Sequence, residues 1–340
     1  MSELDPCLKK IVGDFDPDAL PPRIDPVTAE TPRPLWSVMI PTYNCAKYLE
    51  KTLESVLCQD LGPDKMQIQV VDDCSTQDDP EAVTRRIGKG RIQFSRNEKN
   101  TGLCSKNFNQ CLRQSTGTYV HLLHGDDFVL PGFYASIENA IETKPFCGMV
   151  INRSFTVNEK GEIESLAERG AKSDGPHFLF QSHLYQNTFF TPGLVFRRAA
   201  LEKNGGFRED LVHCADWEIT ARIYTKEGSI YLNDPKACYR IFKNSDTNRL
   251  ASTGENVRDY IRLLTVFEAS GYKINRDRFL INALATVKHS CIKFKKENNS
   301  TALKHNEKLE KQIFKHIEFK TRMKLKLSNL KEKVIKTLNA

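Results

Sequence analysis

Residues 118–133 read TYVHLLHGDDFVLPGF. The run opens with Tyr119, Val120, Leu122 and Leu123, which predicts a buried strand, and Pro131-Gly132 begins a new element. Between them, just beyond the strand's carboxyl end, stand Asp126 and Asp127. Adjacent carboxylates repel, and each raises the pKa of the other. A divalent cation removes that cost. Hard oxygen ligands suit magnesium or manganese, ions that keep waters and are shared with substrate phosphates. The plainer alternative is a polar strand-to-helix loop in which Asp127 caps the helix.

Upstream of this stretch the elements alternate. Trp36 to Ile40 is a short apolar strand stopped by Pro41-Thr42-Tyr43-Asn44, and Ala46 to Leu57 carries apolar residues at helical spacing. Gln67 to Val71 is a strand ending in Asp72-Asp73, Glu81 to Ile87 a helix, and Arg91 to Phe94 a strand. Such alternation predicts a parallel sheet with helices on both faces and ligands beyond the carboxyl ends of the strands. Asp72-Asp73 and Asp126-Asp127 therefore open on one side. Asn100-Thr101-Gly102 precedes a helix from about Leu103 to Gln114, whose amino end is a candidate anion site; a plain turn and cap is the structural alternative.

Downstream, a helix over Phe133 to Thr143 leads to a strand at Cys147 to Val157, a polar loop around Glu159 to Gly175, and a helix at His177 to Tyr185. A short strand at Thr191 to Phe196 and a helical turn at Arg197 to Lys203 follow. Ala215-Asp216-Trp217-Glu218 opens a helix with Ile219, Ile223 and Tyr224 on one face, a position where a carboxylate also stabilises the helix dipole. Strands at Ser229 to Leu232 and Ala237 to Phe242 close the body, and Arg240 precedes Asn244-Ser245-Asp246, a loop able to reach over the site.

The flanks differ from this body. Residues 1–34, rich in proline and aspartate, read as an extended N-terminal arm; 35–250 form the α/β domain and 251–340 a basic helical C-terminal region. The net charge of +7 is concentrated there: from Lys288 to Ala340, 15 lysines and arginines face 5 acidic residues. Met323, Leu327, Leu330, Val334 and Leu338 form an apolar stripe among lysines, as on a helix lying in a membrane interface, packed on a partner helix in a homodimer, or simply facing solvent. No apolar run approaches the ~20 residues that span a bilayer. With an amino end lacking a signal-peptide core, this predicts a cytoplasmic chain, peripheral to the membrane at most. The ten cysteines show no zinc spacing and read as reduced thiols. Nucleic acid is not an expected partner of the slightly acidic body.

The runs IPTYNCAKYLEKTLESVLCQ, VVDDCST, NTGLCSKNFNQCL, HLLHGDDFVLPGF and GGFREDLVHCADWEI together resemble the successive motifs of family 2 glycosyltransferases, over roughly residues 35 to 245. The resemblance implies a GT-A fold, an α/β mixed sheet flanked by helices, here with a C-terminal helical extension. It also implies non-processive transfer, with inversion, of a single sugar from a nucleotide-diphosphate sugar, UDP-sugar favoured. The acceptor hydroxyl would belong to a saccharide, a lipid-linked saccharide or a protein in surface polysaccharide or glycoconjugate synthesis. By the same resemblance Pro41, Thr42, Tyr43, Asn44, Asp72, Asp73, Asn100, Gly102, Lys106, Asp126 and Arg240 would bind the donor. Asp126, Asp127 and His124 would hold Mn2+ or Mg2+; Asp216 would be the catalytic base, with Trp217 and Glu218 on the acceptor side.

Three positions depart from the pattern: His124 replaces the first Asp of D-x-D, Ala215 the Glu before the base, and Phe242 the His of Y-R-x-H. Q-x-x-R-W, the mark of processive synthases, is absent. A sugar nucleotidyltransferase would need a glycine-rich phosphate loop, which PTYNCAKY lacks, and a glycoside hydrolase two carboxylates flanking one bond. The remaining alternative is a non-catalytic scaffold of the same fold acting through its basic helices.

Overall fold

A computed structural model describes residues 6–166, 183–318 and 321–322. Its strands are β1 (Trp36–Thr42), β2 (Met66–Asp72), β3 (Gln93–Arg96), β4 (Tyr119–Leu122), β5 (Phe128–Val129), β6 (Met149–Val157), β7 (Ile163–Leu166), β8 (Leu194–Arg197) and β9 (Ser229–Arg240). They form one mixed sheet in the order β3-β2-β1-β4-β8-β6-β9-β5, with β7 paired to β6. β1, β2, β3 and β4 run parallel, and β8 lies antiparallel to both β4 and β6.

Every residue of β1, WSVMIPT, is buried, as a central parallel strand covered on both faces requires. Helix α2 (Ala46–Leu57) turns Leu49, Leu53 and Val56 onto it, and α3 (Pro80–Gly88) begins with Pro80 behind an Asp79 cap that accepts from the Ala82 N–H. Helices α4 (Cys104–Gln114), α5 (Phe133–Thr143), α6 (Arg198–Asn204) and α7 (Ala215–Glu227) complete this unit, which spans Leu20–Lys243. In it residues 20–34 contain no helix or strand, although Ile24 is fully buried.

The second compact unit joins residues up to Ala19 with those from Asn244 on. It contains α1 (Pro6–Val12), α8 (Asp246–Thr253), α9 (Glu255–Ala269), α10 (Arg276–Lys296) and α11 (Ser300–His316). The guanidinium of Arg262 donates to the Val12 carbonyl at the end of α1 and pairs with Asp259 and Glu255. Leu8, Ile11, Ile261, Leu280 and Leu309 are among its buried apolar residues.

Four local expectations change. Residues 6–12 are helical, because Leu8, Ile11 and Val12 supply a short apolar face that the surrounding prolines conceal in the sequence. β3 is displaced to Gln93–Arg96, since Arg91 bends away to pair with Asp60 at 2.7 Å. Ile163–Leu166, expected in a polar loop, pairs with β6. Ser229–Arg240 is one strand interrupted by a bulge, where the Asn152 side chain donates to the Asp234 carbonyl at 3.0 Å and accepts from the Lys236 N–H at 2.8 Å. The helix expected at His177 to Tyr185 falls largely, and the apolar stripe from Met323 to Leu338 wholly, outside the described residues. Among the described residues no helix is long and apolar enough to cross a membrane.

Candidate active site

Because β2, β1 and β4 are adjacent and parallel, residues 43–45, 73–75 and 123–127 leave the sheet along one edge. They are then tied together. Asn44, with φ near +50°, accepts at its side-chain oxygen from the N–H groups of Thr76 and Gln77 and gives its own N–H to Ser75 Oγ at 2.8 Å. Pro41 and Thr42 are buried in β1; Tyr43 is the exposed member of the loop at 48%.

The expected donor-binding carboxylates are engaged inside the protein. Asp72 is fully buried and accepts from Thr42 Oγ1, the Ser75 N–H and Oγ, and Arg96 Nε at 2.8 Å. Asp73 accepts from Asn97, from Asn100 Nδ2 at 3.1 Å, and from the N–H and Oγ1 of Thr101. Asn100 and Gly102 are exposed, and Lys106 is half-buried on the first turn of α4. The oxygen of the Asn100 side chain takes the Gly102 N–H at 2.8 Å, so this amide shapes its own turn. Asp72 and Asp73 thereby fix the 97–102 loop.

The second acidic pair differs. Gly125 packs so closely on the first loop that a Cβ there would stand 2.6 Å from Thr42 Cγ2 and 2.9 Å from Cys45 Sγ. Thr52 Oγ1 bonds the carbonyls of Gly125 and Asp127, and the turn projects His124, Asp126 and Asp127 so that one ligand atom of each lies within 4.8 Å of the others. Burial pushes the Asp126 carboxyl up to about 6. Asp127 is raised well above the usual range, by burial first and then by repulsion from Asp126. His124 stacks on Phe108 with centroids 4.7 Å apart, and burial lowers it to about 4, so the imidazole is neutral at pH 7. Asp127 Oδ2 and His124 Nε2 are buried without a hydrogen-bond partner. His124 Nδ1 lies 3.9 Å from Asp127 Oδ2, and an unpartnered buried carboxylate oxygen beside an imidazole and a second carboxylate fits a divalent cation; the mixed oxygen and nitrogen set admits manganese as well as magnesium.

Arg240, expected on the donor, is instead 4% exposed. Its Nε donates to the Asp126 carbonyl at 2.7 Å, its Nη1 to the carbonyls of Asn158 and Glu159, and its plane lies 4.8 Å over the ring of Tyr48. Through Nε and Nη1 it braces the acidic turn. Phe242 packs on the other ring of that stack, Tyr48, at 5.1 Å.

Strand β8 runs against β4, so the segment before it enters at the edge where β4 leaves; the Pro192 carbonyl lies 3.0 Å from His121 Nε2. That segment brings Asn187, whose Nδ2 donates to Asp216 Oδ2 at 3.1 Å. Asp216 stands on the first turn of α7, part-exposed, with its carboxyl raised by burial against the opposing effects of His213, the Trp217 N–H and Asn187. Trp217 and Glu218 face the other way. At about 100° per residue the helix turns Trp217 into the core at 1% exposure, and Glu218 is buried against Arg222 at 2.8 Å. Neither meets the expectation of an acceptor contact. Asn187, Phe108 and the Asn158–Glu159 turn went unread in the sequence, because each acts through a partner far along the chain.

A curled mixed sheet with an acidic turn at the exits of its parallel strands defines the GT-A fold of nucleotide-diphospho-sugar transferases. The glycosyl transferase family 2 model matches residues 37–205, so through that segment the chain is similar to that family. The chain is 26% identical over 234 residues to the poly(ribitol-phosphate) β-N-acetylglucosaminyltransferase TarS of Staphylococcus aureus, covering 68% of this chain but 40% of TarS. It is 28% identical to the GalNAc(5)-diNAcBac-PP-undecaprenol β-1,3-glucosyltransferase of Campylobacter jejuni, over 68% of this chain and 72% of that protein. The crystal structure of S. aureus TarS 1-349 in complex with UDP-GlcNAc aligns with a TM-score of 0.53 at 18% identity, covering 84% of this chain and 93% of that one. The mannosyltransferase PcManGT of Pyrobaculum calidifontis, in complex with GDP-Man and Mn2+, aligns with a TM-score of 0.52 at 18% identity, over 90% and 89%. At such identities these structures share the fold.

Proposed function

We propose that this glycosyltransferase moves a single sugar from a UDP-sugar to an acceptor hydroxyl with inversion, in the assembly of a surface polysaccharide or glycoconjugate at the cytoplasmic side of a membrane. The observation that carries the reading is the pairing of the stranded ligand atoms at His124 and Asp127, beside Asp126, with the part-exposed carboxylate of Asp216. Asp126, Asp127 and His124 would hold the divalent cation, which when bound neutralises charge on the leaving diphosphate. The exposed ring of Tyr43 offers a face for the base. Asp216 takes the proton of the acceptor hydroxyl as the oxygen attacks C1 from the side opposite the diphosphate. TarS and the Campylobacter transferase, whose names refer to a poly(ribitol-phosphate) and an undecaprenol-linked saccharide, support the acceptor class.

The test is donor binding and hydrolysis across UDP-, GDP- and dTDP-sugars with manganese, magnesium or chelator. Metal-dependent release of UDP, lost in Asp126→Ala and reduced about 10²–10⁴-fold in Asp216→Asn with donor affinity kept, is the expected result. Folded protein that binds no donor would overturn the reading.

A further inference from the structure

The segment 183–190 is fastened to the first turn of α7 at several points. The indole N–H of Trp217 donates to the His183 carbonyl, and His183 Nε2 lies 2.8 Å from Thr220 Oγ1. Thr220 Oγ1 in turn donates to the Asp216 carbonyl at 2.8 Å, so His183 supplies the proton to Thr220 and its Nδ1 accepts from Thr188 Oγ1, 3.2 Å away. The Phe189 ring packs tilted against His183 with centroids 4.4 Å apart. Asn187 is held in the middle of this lock. The Phe189 N–H donates to Asn187 Oδ1 at 3.3 Å, which fixes the amide so that Nδ2 is the atom turned to Asp216 Oδ2. Asp216 Oδ1 is taken by the Trp217 N–H at 2.7 Å.

We propose that Asn187 is the positioning residue of the base: it fixes the rotamer of Asp216 and favours its ionised form, so that the carboxylate meets the acceptor hydroxyl charged and aimed. The proposal rests on the assignment of Asp216 as base. An amide donor bonds the carboxylate better than the carboxylic acid, and that bond counts for more where the carboxyl is partly buried. The other groups acting on Asp216 are His213, whose Coulombic effect also favours the ionised form, and the main-chain donor at Trp217. Burial opposes all three. From its own helix, Glu218 is neutralised by Arg222. Removing the Asn187 amide therefore leaves burial less opposed, and the carboxylate becomes harder to ionise.

The experiment uses the full chain with carboxyl-labelled aspartate, and Asp216→Asn assigns the resonance. Asn187→Ala is expected to raise the NMR titration midpoint of Asp216 by about one pH unit, the equivalent of one charge-assisted hydrogen bond. In the manganese-supported hydrolysis of UDP-GlcNAc, or of whichever UDP-sugar the donor panel selects, kcat should fall 10- to 100-fold with donor KM unchanged. The acid limb of kcat should move up in step with the NMR value. Asn187→Gln, which keeps the amide, should recover part of the rate, and thermal melts check that each variant is folded. An unmoved Asp216 midpoint in folded Asn187→Ala would overturn the proposal. Full hydrolysis by Asp216→Asn would instead overturn the assignment of the base, and the two failures are read from different variants.

Discussion

The main-chain N–H of Arg240 donates to Asp127 Oδ1 at 2.8 Å, while Oδ2 of the same carboxylate is buried with no donor. One residue on β9 thus satisfies half of an acidic side chain and leaves the other half for a ligand. The same residue's guanidinium holds the Asp126 carbonyl and the Asn158–Glu159 turn. Replacing Arg240 removes the guanidinium and keeps the N–H. Arg240→Ala should cost about 2–4 kcal/mol of stability, because the Asp126 and Glu159 carbonyls lose this donor while the Asn158 carbonyl keeps the Gly161 N–H at 2.9 Å, and it should raise the manganese concentration needed for half-maximal activity. Arg240→Lys should recover little, since one ammonium cannot span the three acceptors. Denaturant melts and metal titration check both; a wild-type metal requirement in folded Arg240→Ala would refute the bracing role.

Asp126 predicts a pH effect on the metal-free protein. Its folded pKa, about 6, lies above the unfolded value of 3.8, so the group contributes stability that is fully present below pH 3.8 and lost as pH rises through 6. At pH 7 the metal-free protein therefore carries the cost of a charged, poorly solvated carboxylate, at most about 3 kcal/mol. Asp126→Asn should melt higher than wild type at pH 7 in chelator, and gain less from added manganese. Manganese binding by the wild type should weaken as pH falls through 6, because protonation removes the ligand. Calorimetry across pH 5–8 measures these effects together, and a metal-free variant that melts below wild type at pH 7 would contradict the assigned cost.

Gly125 is a steric requirement of the acidic turn. Gly125→Ala places a methyl against Thr42 and Cys45, and the turn must lift to admit it. A cost of about 1–3 kcal/mol is expected. The activity loss should be larger than that of a surface change with the same loss of stability, since the carboxylates move with the turn. Unchanged metal and donor affinity in this variant would show that the turn tolerates displacement.

Asp73 should behave as a structural residue. Its oxygens gather donors from Asn97, Asn100 and Thr101, so Asp73→Ala strands several of them and frees the 97–102 loop. The expected loss is about 3 kcal/mol of stability. Hydrogen exchange should quicken at residues 97–104 while exchange in β2 and β1 stays slow. A stable variant with weakened donor binding alone would return Asp73 to the donor-binding role read from the motif.

What the sequence disclosed follows from the range of the forces involved. Strands β1, β2 and β4 are legible because burial writes short, mainly apolar runs, and the turn at Asp126-Asp127 is legible because adjacent carboxylates at a strand end repel unless something offsets their charge. The bracing bonds of Arg240 were not legible because a motif gives a residue's position and not the direction of its donors; Nε and Nη1 reach carbonyls more than 80 positions away. Trp217 and Glu218 were misread for a related reason. Their neighbour Asp216 is functional by resemblance, but a helix sends adjacent side chains to different faces. Asn187 left no mark, since a lone amide in a polar stretch looks like any loop residue until its partner 29 positions on is known.

The bond from Arg262 to the carbonyl of Val12 spans 250 positions. The sheet unit, by contrast, is continuous from Leu20 to Lys243. During synthesis the whole sheet emerges before the partners of α1 exist, so α1 waits as an unpaired amphipathic segment until the helices that cover Leu8 and Ile11 have left the ribosome. The two units therefore mature at different times: the sheet layer can close early, and α1 is among the last pieces to be buried. Nascent chains halted after Lys243 should resist protease across the sheet yet remain cleavable within residues 6–19, and early protection of that helix would show that it finds another cover first.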